Sequence, residues 1–306
     1  MSSPSTVVVV TWRGREHITA CLDALAAQRS PHRTLVVDNA SDDGTAELLA
    51  SHPSRPDVVR LPRNLGYAGG LAAVLDQVDT PYVAWLNDDA APDPVWLSSL
   101  EEALDGDPRV AAATSSMVLA DGATQSVGVA LTADGHGVDV VLAGREVFGF
   151  CGGAALLRTD VLRRAGGVPA GFFCYYEDTD TAWRLRLAGY RVVSVGPARV
   201  RHRHGASTRP GSVQFHRWNE RNRLLMLLRC APAVVALRET ARFAVITALL
   251  PFRSGVPDAA NFQVGLRLRV LLEVLLRTPS ALVARAGVGR RSTVARRDVW
   301  RAWAGR

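Results

Sequence analysis

Lysine is missing from the sequence: all 36 basic residues among its 306 are arginine. Coding bias explains this as readily as chemistry, but it closes any function that calls on a lysine side chain. Cysteine is sparse. Cys21, Cys151, Cys174 and Cys230 lie far apart with no C-x-x-C pair, so neither a zinc site nor a disulfide framework is indicated, and a reducing compartment is expected. No window approaches the roughly 18 consecutive apolar residues of a spanning helix. The opening "MSSPSTVVVVTW" has no basic segment and only a short apolar run, which does not read as a signal peptide. Internal repeats and low-complexity tracts are absent too. A cytoplasmic globular protein is the resulting expectation.

The formal charge of +7 is unevenly placed. Residues 1–228 hold 22 arginines against 25 acids, whereas residues 229–306 hold 14 against four. With no recognised nucleic-acid module and an acidic front part, nucleic acid is not the expected partner.

Strands and helices alternate through the first hundred residues. "TVVVVTW" (6–12) and "RTLVVDNAS" (33–41) are β-branched runs of the kind buried on both faces of a parallel sheet. Residues 15–28 carry Ile18, Cys21, Leu22 and Leu25 at helical spacing, and Asp42 or Asp43 suits the N-cap of the next helix. A short strand near 58–61, a glycine-rich loop feeding a helix, and "YVAWLNDDA" (82–90) continue the βαβ pattern. Polar residues collect at the carboxyl ends of these strands, the edge where open α/β sheets bind ligands. Asp-Gly pairs at 121–122 and 134–135 predict hairpins, and beyond about 225 the pattern is helical.

Four stretches carry chemistry. "WLNDDA" (85–90) ends a buried strand in adjacent carboxylates, a use for which is holding a hard divalent cation on a diphosphate; Asp and Asn equally suit a turn. "NLGYAGGLA" (64–72) does not match G-x-G-x-x-G, but it leads into a helix whose free N–H groups favour an anion. "GPARVRHRHGAS" (196–207) puts His202 and His204 two apart on a strand, on the same side and within reach of a metal. "FCYYEDTDTAWRLRLAGY" (173–190) sets Glu177, Asp178 and Asp180 between aromatics and a helix. Aromatic surroundings can desolvate a carboxylate into a general base, while acids in a first turn also suit the helix dipole. Asp180 and Arg184 have the i, i+4 spacing of a helix-surface pair.

In this order, with "VVDNASDDGT" and "GFCGGAALLRTDVLRRAGGVPAGFF" between them, these segments resemble the family 2 glycosyltransferases of GT-A fold. The rhamnosyltransferase-like sub-group of bacterial cell-surface and natural-product assembly is the nearest likeness, over residues 6–228. The resemblance implies an α/β, Rossmann-like nucleotide-diphospho-sugar transferase domain (1–228) followed by a basic amphipathic helical region (229–306). It implies inverting transfer from a donor such as a dTDP- or UDP-sugar to a hydroxyl of a glycan, lipid-linked or small-molecule acceptor. By position, Thr11, Trp12, Arg13 and Asp38 would contact the nucleotide, and Asn64 and Gly66 would lie along the donor. Asn87, Asp88 and Asp89 take the place of the family's Asp-x-Asp. Asp89 and His202 would ligate Mn2+ or Mg2+, Asp178 would be the base, and Tyr176 and Glu177 would face the acceptor. Two departures stand out: Asn87 replaces the first Asp, and Leu71 follows the glycines where many relatives carry Asn.

A sugar-phosphate nucleotidyltransferase would show a glycine-rich N-terminal loop with Arg and Lys, which this chain lacks. A non-catalytic sugar-nucleotide-binding protein is suggested by Asn87, but Asp89, Asp178 and His202 weigh against it. In the tail, "PAVVALRETARFAVITALLPF" and "VGLRLRVLLEVLLRTPSALVARAG" are apolar helices interrupted by arginine, with Arg238, Glu239 and Arg242 on one side. Their composition suits an anionic membrane surface, at the inner face of the plasma membrane; a cap on the catalytic domain and a homodimer interface are the other readings.

Overall fold

The computed structural model describes residues 3–142, 144–203 and 211–305. The β-branched run forms β1 (Ser5–Thr11), buried at every position. It is followed by α1 (Ile18–Ala26), β2 (His32–Asp38), α2 (Thr45–Ser51), β3 (Asp57–Arg60), α3 (Gly66–Val74) and β4 (Tyr82–Asn87). These strands lie in the order β3-β2-β1-β4, all parallel. α1 buries the four apolar residues that its spacing predicts. α2 departs from expectation: Gly44, left-handed at φ 92°, occupies the N-cap, and Asp43 accepts from Thr45 one position further out. Asp42 instead pairs with Arg13.

The second half continues through β5 (Ala90–Pro92), α4 (Trp96–Asp105), β6 (Val110–Val118), β7 (Thr124–Ser126), β8 (Val129–Leu131), β9 (Gly137–Asp139), β10 (Ala154–Arg158), α5 (Thr159–Arg164), α6 (Glu177–Leu187) and β11 (Arg191–His202). Both Asp-Gly pairs turn antiparallel hairpins, β6–β7 and β8–β9. β10 runs antiparallel between β4 and β6, so its start meets the end of β4, where Asn87 N–H donates to Gly153 O at 2.9 Å.

Alternation divides the core. Val7, Val9 and Val36 pack with Ile18, Leu22 and Trp96 on one face of the sheet. Val8, Val10 and Leu35 pack with Leu71, Val74 and Leu185 on the other. α3 comes close enough to β1 that a β-carbon on Gly70 would stand 2.6 Å from Val10 Cγ1.

Four helices complete the chain: α7 (Val213–Cys230), α8 (Ala233–Leu249), α9 (Val264–Arg291) and α10 (Arg296–Trp303). α7 passes unbroken through residue 228. The helices share a core with Phe148, Phe172, Tyr176 and Trp183 of the sheet-bearing part. α10 returns onto α6, stacking Trp300 on Trp183 with centroids 5.9 Å apart and placing Trp303 under the Arg186 guanidinium at 4.2 Å. Each such aromatic contact adds about 0.5–1.5 kcal/mol beyond burial. Arg238 and Arg242 both reach Glu239, as their spacing predicts. No described helix is long and apolar enough to cross a membrane.

Candidate active site

The parallel strands end together, and their polar termini interlock. Thr11 directs its hydroxyl not outward but at Asp88 Oδ2 (2.6 Å), beside His17 Nε2 at 3.2 Å. Contact with Asp88 raises the His17 imidazole above its ordinary value, against burial. Asp88 is thus occupied with protein partners. Asp89 meets His202 instead, Oδ1 to Nε2 at 3.0 Å, with Asn87 Nδ2 3.2 Å from the same nitrogen and Gln125 Oε1 2.8 Å from His202 Nδ1. Burial opposes ionisation of Asp89, but the hydrogen bond and charge of His202, with the charge of His17, together outweigh it and hold the carboxyl below its usual range. The glutamine carbonyl at Nδ1 fixes the orientation of the ring and so presents Nε2 to Asn87 and Asp89.

Among the described residues no three His, Cys, Asp or Glu side chains are grouped to hold an ion. The buried carboxylate–imidazole pair nevertheless offers an oxygen and a nitrogen donor that would suit a hard divalent cation, since such ions commonly take few protein ligands. His204 lies outside the described residues.

At the end of β2, buried Asp38 accepts from Ser41 N–H (2.9 Å) and from Arg60 (2.8 Å). Trp12 is exposed and carries the Arg13 guanidinium 5.0 Å above its ring, the same guanidinium that pairs with Asp42. The glycine-rich stretch is helix, not loop, and the N–H groups at its start already have partners. Leu65 N–H donates to Asn39 Oδ1, Gly66 N–H to Asn64 Oδ1 and Ala68 N–H to Phe173 O, so none of these three is left for an anion.

The acids of α6 separate sharply. Asp180 is fully buried rather than on a helix surface, held by Arg184 (2.7 Å) and Arg229 (2.8 Å). Glu177 is buried, and its Oε2 has no hydrogen-bond partner among the described residues; burial, then the charge of Asp178, push its carboxyl up to about 8. Asp178 alone of the three keeps partial exposure. Burial raises its carboxyl as well, but Gly152 N–H (2.9 Å) and the Thr179 N–H and hydroxyl favour its charged form. Burial raises both carboxyls, and the hydrogen bonds to Asp178 are what distinguish it from Glu177, whose Oε2 has none among the described residues.

The loop before these acids is bent hard. Phe173, Tyr175 and Tyr176 all have φ near +70°, in the left-handed region where each non-glycine residue costs about 1 kcal/mol or more. Asn222 of α7, completely buried, donates to the carbonyls of Phe172, Cys174 and Tyr175, and Arg221 adds a second bond to Phe172 O. The twist turns Tyr176 into the helical core. Phe173 and Tyr175 stay half-buried against Trp218 (4.7 Å) and Phe215 (5.2 Å) of α7.

Backbone ties the two clusters together. Gly152 donates to Asp178 and accepts from Tyr67 OH (2.6 Å), and a β-carbon on the next residue, Gly153, would stand 3.0 Å from Asn87 Nδ2. Arg60, Gln125 and Asn222 lie outside the four stretches singled out in the sequence; only the fold brings them here.

Comparison with known proteins agrees with this architecture. Galactofuranosyltransferase GlfT1 of Mycolicibacterium smegmatis is 44% identical over 66 residues, which are 21% of this chain and 22% of that one. GalNAc-T7 with UDP, GalNAc and Mn2+ superposes at a TM-score of 0.63 with 12% identity, over 90% of this chain and 57% of that one. The mannosyltransferase PcManGT of Pyrobaculum calidifontis, in complex with GDP-Man and Mn2+, superposes at 0.54 with 20% identity, covering 98% and 79%. S. aureus TarS 1–349 with UDP gives 0.55 at 17% identity, covering 97% and 90%. At these identities the solved structures establish a shared GT-A type of fold with added C-terminal helices. The family model for glycosyl transferase family 2 matches residues 6–166, more than half of the sequence, and the chain belongs to that family.

Proposed function

We propose that the protein transfers a sugar from a nucleotide-diphosphate donor, a UDP- or dTDP-linked hexose or rhamnose-like sugar, to an acceptor hydroxyl with inversion at the anomeric carbon. The observation that carries this reading is one ligand-accessible carboxylate, Asp178, bound to the backbone beside the Asn87–Asp89–His202 group. Asp178 takes the acceptor proton as the hydroxyl attacks the face opposite the leaving diphosphate, so no covalent glycosyl intermediate is required. Glu177 keeps a proton and adds no second charge beside the base. Asp38 and Arg60 shape the nucleotide end, with Trp12 and Arg13 at its rim. Asp89 and His202 would hold a divalent cation such as Mn2+ or Mg2+, whose charge offsets that of the leaving diphosphate. The UDP, GDP-Man and Mn2+ in the solved relatives support this arrangement.

The acceptor is a glycan, lipid-linked or small-molecule hydroxyl met against Phe173, Tyr175 and the first turns of α7. The exposed leucines and arginines of α8 and α9 support a cytoplasmic protein seated peripherally on an anionic membrane.

The test is transfer and donor hydrolysis across a panel of nucleotide sugars with Mn2+ or Mg2+, using wild type, Asp89→Ala and Asp178→Asn. Asp178→Asn should lose about 10²–10⁴ in transfer with donor binding kept; Asp89→Ala should weaken donor binding in the presence of metal. Full transfer by Asp178→Asn overturns the base assignment, and binding of nucleotide sugar with no turnover by wild type overturns the enzymatic reading.

A further inference from the structure

Between residues 165–172 and α9 lies a cleft of about 550 Å3 that the transfer chemistry does not use. Five guanidiniums line it, those of Arg184, Arg229, Arg277, Arg290 and Arg291, and no acidic side chain does. Behind its wall, the single charge of Asp180 is divided between Arg184 and Arg229. Glu273 reaches Arg277 only at 3.7 Å while also serving Arg217, Arg221 and Arg269. Among the described residues neither Arg290 nor Arg291 has an acidic partner.

Arg184 gives its donors to Asp180, Ala165 O, Gly167 O and Thr181, which leaves Arg277, Arg290 and Arg291 as the guanidiniums open to a ligand. Arg291 Nη1 stands 3.4 Å from the point a β-carbon on Gly166 would occupy and 3.1 Å from the corresponding point on Gly287, so it bridges the loop wall and the helix wall. Arg184 Nη1 is 3.7 Å from the same point at Gly166. The five cations exceed the two shared acids behind them, and a bound anion offsets the excess. A helix dipole favours basic residues in the last turn, which suits Arg290 and Arg291. It does not account for Arg277, nearly four turns earlier.

The remaining lining is apolar, with Val168, Phe172 and Val283 among it. Beside Arg277 and Arg290, α9 turns Leu272, Leu275, Leu276, Leu282 and Val283 outward, each at least half exposed. Guanidiniums match phosphate oxygens in pairs, and a cationic cleft opening beside an apolar stripe suits a charged head joined to a hydrocarbon chain. We propose that this cleft binds the phosphate head group of a membrane lipid, with the α9 stripe lying against the acyl region. The site rests on the peripheral seating of the helical region and not on the sugar-transfer reaction. Its loop wall continues directly into the bent aromatic segment, so a lipid bound there lies against the acceptor end of the active site.

The experiment is co-sedimentation of the full chain with phosphatidylcholine vesicles, plain or carrying phosphatidic acid or phosphatidylserine at matched charge, with titration of inorganic diphosphate as a separate arm. The expected result is binding to phosphatidic acid vesicles above that to phosphatidylserine. It should fall about tenfold to a hundredfold in Arg277→Gln/Arg290→Gln/Arg291→Gln. Arg253→Gln/Arg297→Gln/Arg301→Gln, which removes the same charge from exposed positions outside the cleft, should retain binding, and circular dichroism checks that both variants fold. Equal loss in the two triple variants overturns the cleft and leaves general membrane attraction. Diphosphate binding without vesicle binding overturns the lipid as ligand. No vesicle binding by wild type overturns the peripheral seating as well, while the transfer assays stand apart from all three outcomes.

Discussion

Replacing Asn222 with leucine would measure how the bent acceptor loop is held. Asn222 Nδ2 has two hydrogens and three carbonyl partners, at 3.0, 2.8 and 2.8 Å. In the variant, Phe172 O keeps its bond from Arg221, but the carbonyls of Cys174 and Tyr175 lose this donor and Arg221 Nε loses its acceptor, Asn222 Oδ1. Leaving a buried polar group unmet costs about 1–3 kcal/mol, so a loop that kept its shape would lose roughly 3–9 kcal/mol. Against that stands the strain of three left-handed residues, at about 1 kcal/mol or more each, which the loop sheds if it lets go. The two quantities are comparable, so the loop should relax rather than persist. The expected global destabilisation is therefore modest, about 2 kcal/mol by urea unfolding with an unchanged m-value. Acceptor transfer should fall more steeply, about tenfold to a hundredfold, because Asp178 loses its aim. Donor hydrolysis, which needs no acceptor, should fall less. A variant with wild-type stability, acceptor KM and kcat would refute the positioning role.

Three further outcomes follow from the geometry. Asp180→Asn leaves Arg184 and Arg229 without their shared buried counter-charge and should cost about 3–5 kcal/mol in urea unfolding; a loss below 1 kcal/mol would contradict that account. Glu177, at about 8 when folded against an ordinary 4.5, binds its proton more tightly in the native state. Its contribution to stability is therefore full below pH 4.5 and disappears as pH rises through 8; Glu177→Gln should flatten the decline in melting temperature between those limits, and an unchanged pH profile would count against it. Gln125→Leu removes the acceptor at His202 Nδ1 and should weaken Mn2+ affinity about 10- to 100-fold in a direct metal titration, which an unaltered isotherm would contradict.

The sheet was readable because its signals are local. Val7 to Val10 are β-branched without interruption, and the Asp-Gly pairs specify their own turns. The α6 acids were found because they are adjacent, yet their separate fates depend on distant residues. Asp180 is buried by Arg184, four positions away, and also by Arg229 from another helix. Tyr176 is a core residue by backbone twist, and nothing in "YYED" announces a left-handed φ at a tyrosine. The glycines of "NLGYAGG" looked like a loop because glycine is a poor helix former; they stand in a helix because Gly70 must pass Val10. Gln125 and Asn222 are single amides that only long-range packing brings to the site.

Because β10 enters between β4 and β6 from the opposite direction, the spacing between Asp178 and the Asn87 end of β4 runs through the peptide groups of Gly152 and Gly153. A gauge made of main chain does not change when neighbouring residues are substituted. The aromatic face of α7 can therefore be rebuilt for a different acceptor while the reacting groups keep their separation, which makes that helix the place to redirect the enzyme and the Gly-Gly pair the place to leave alone.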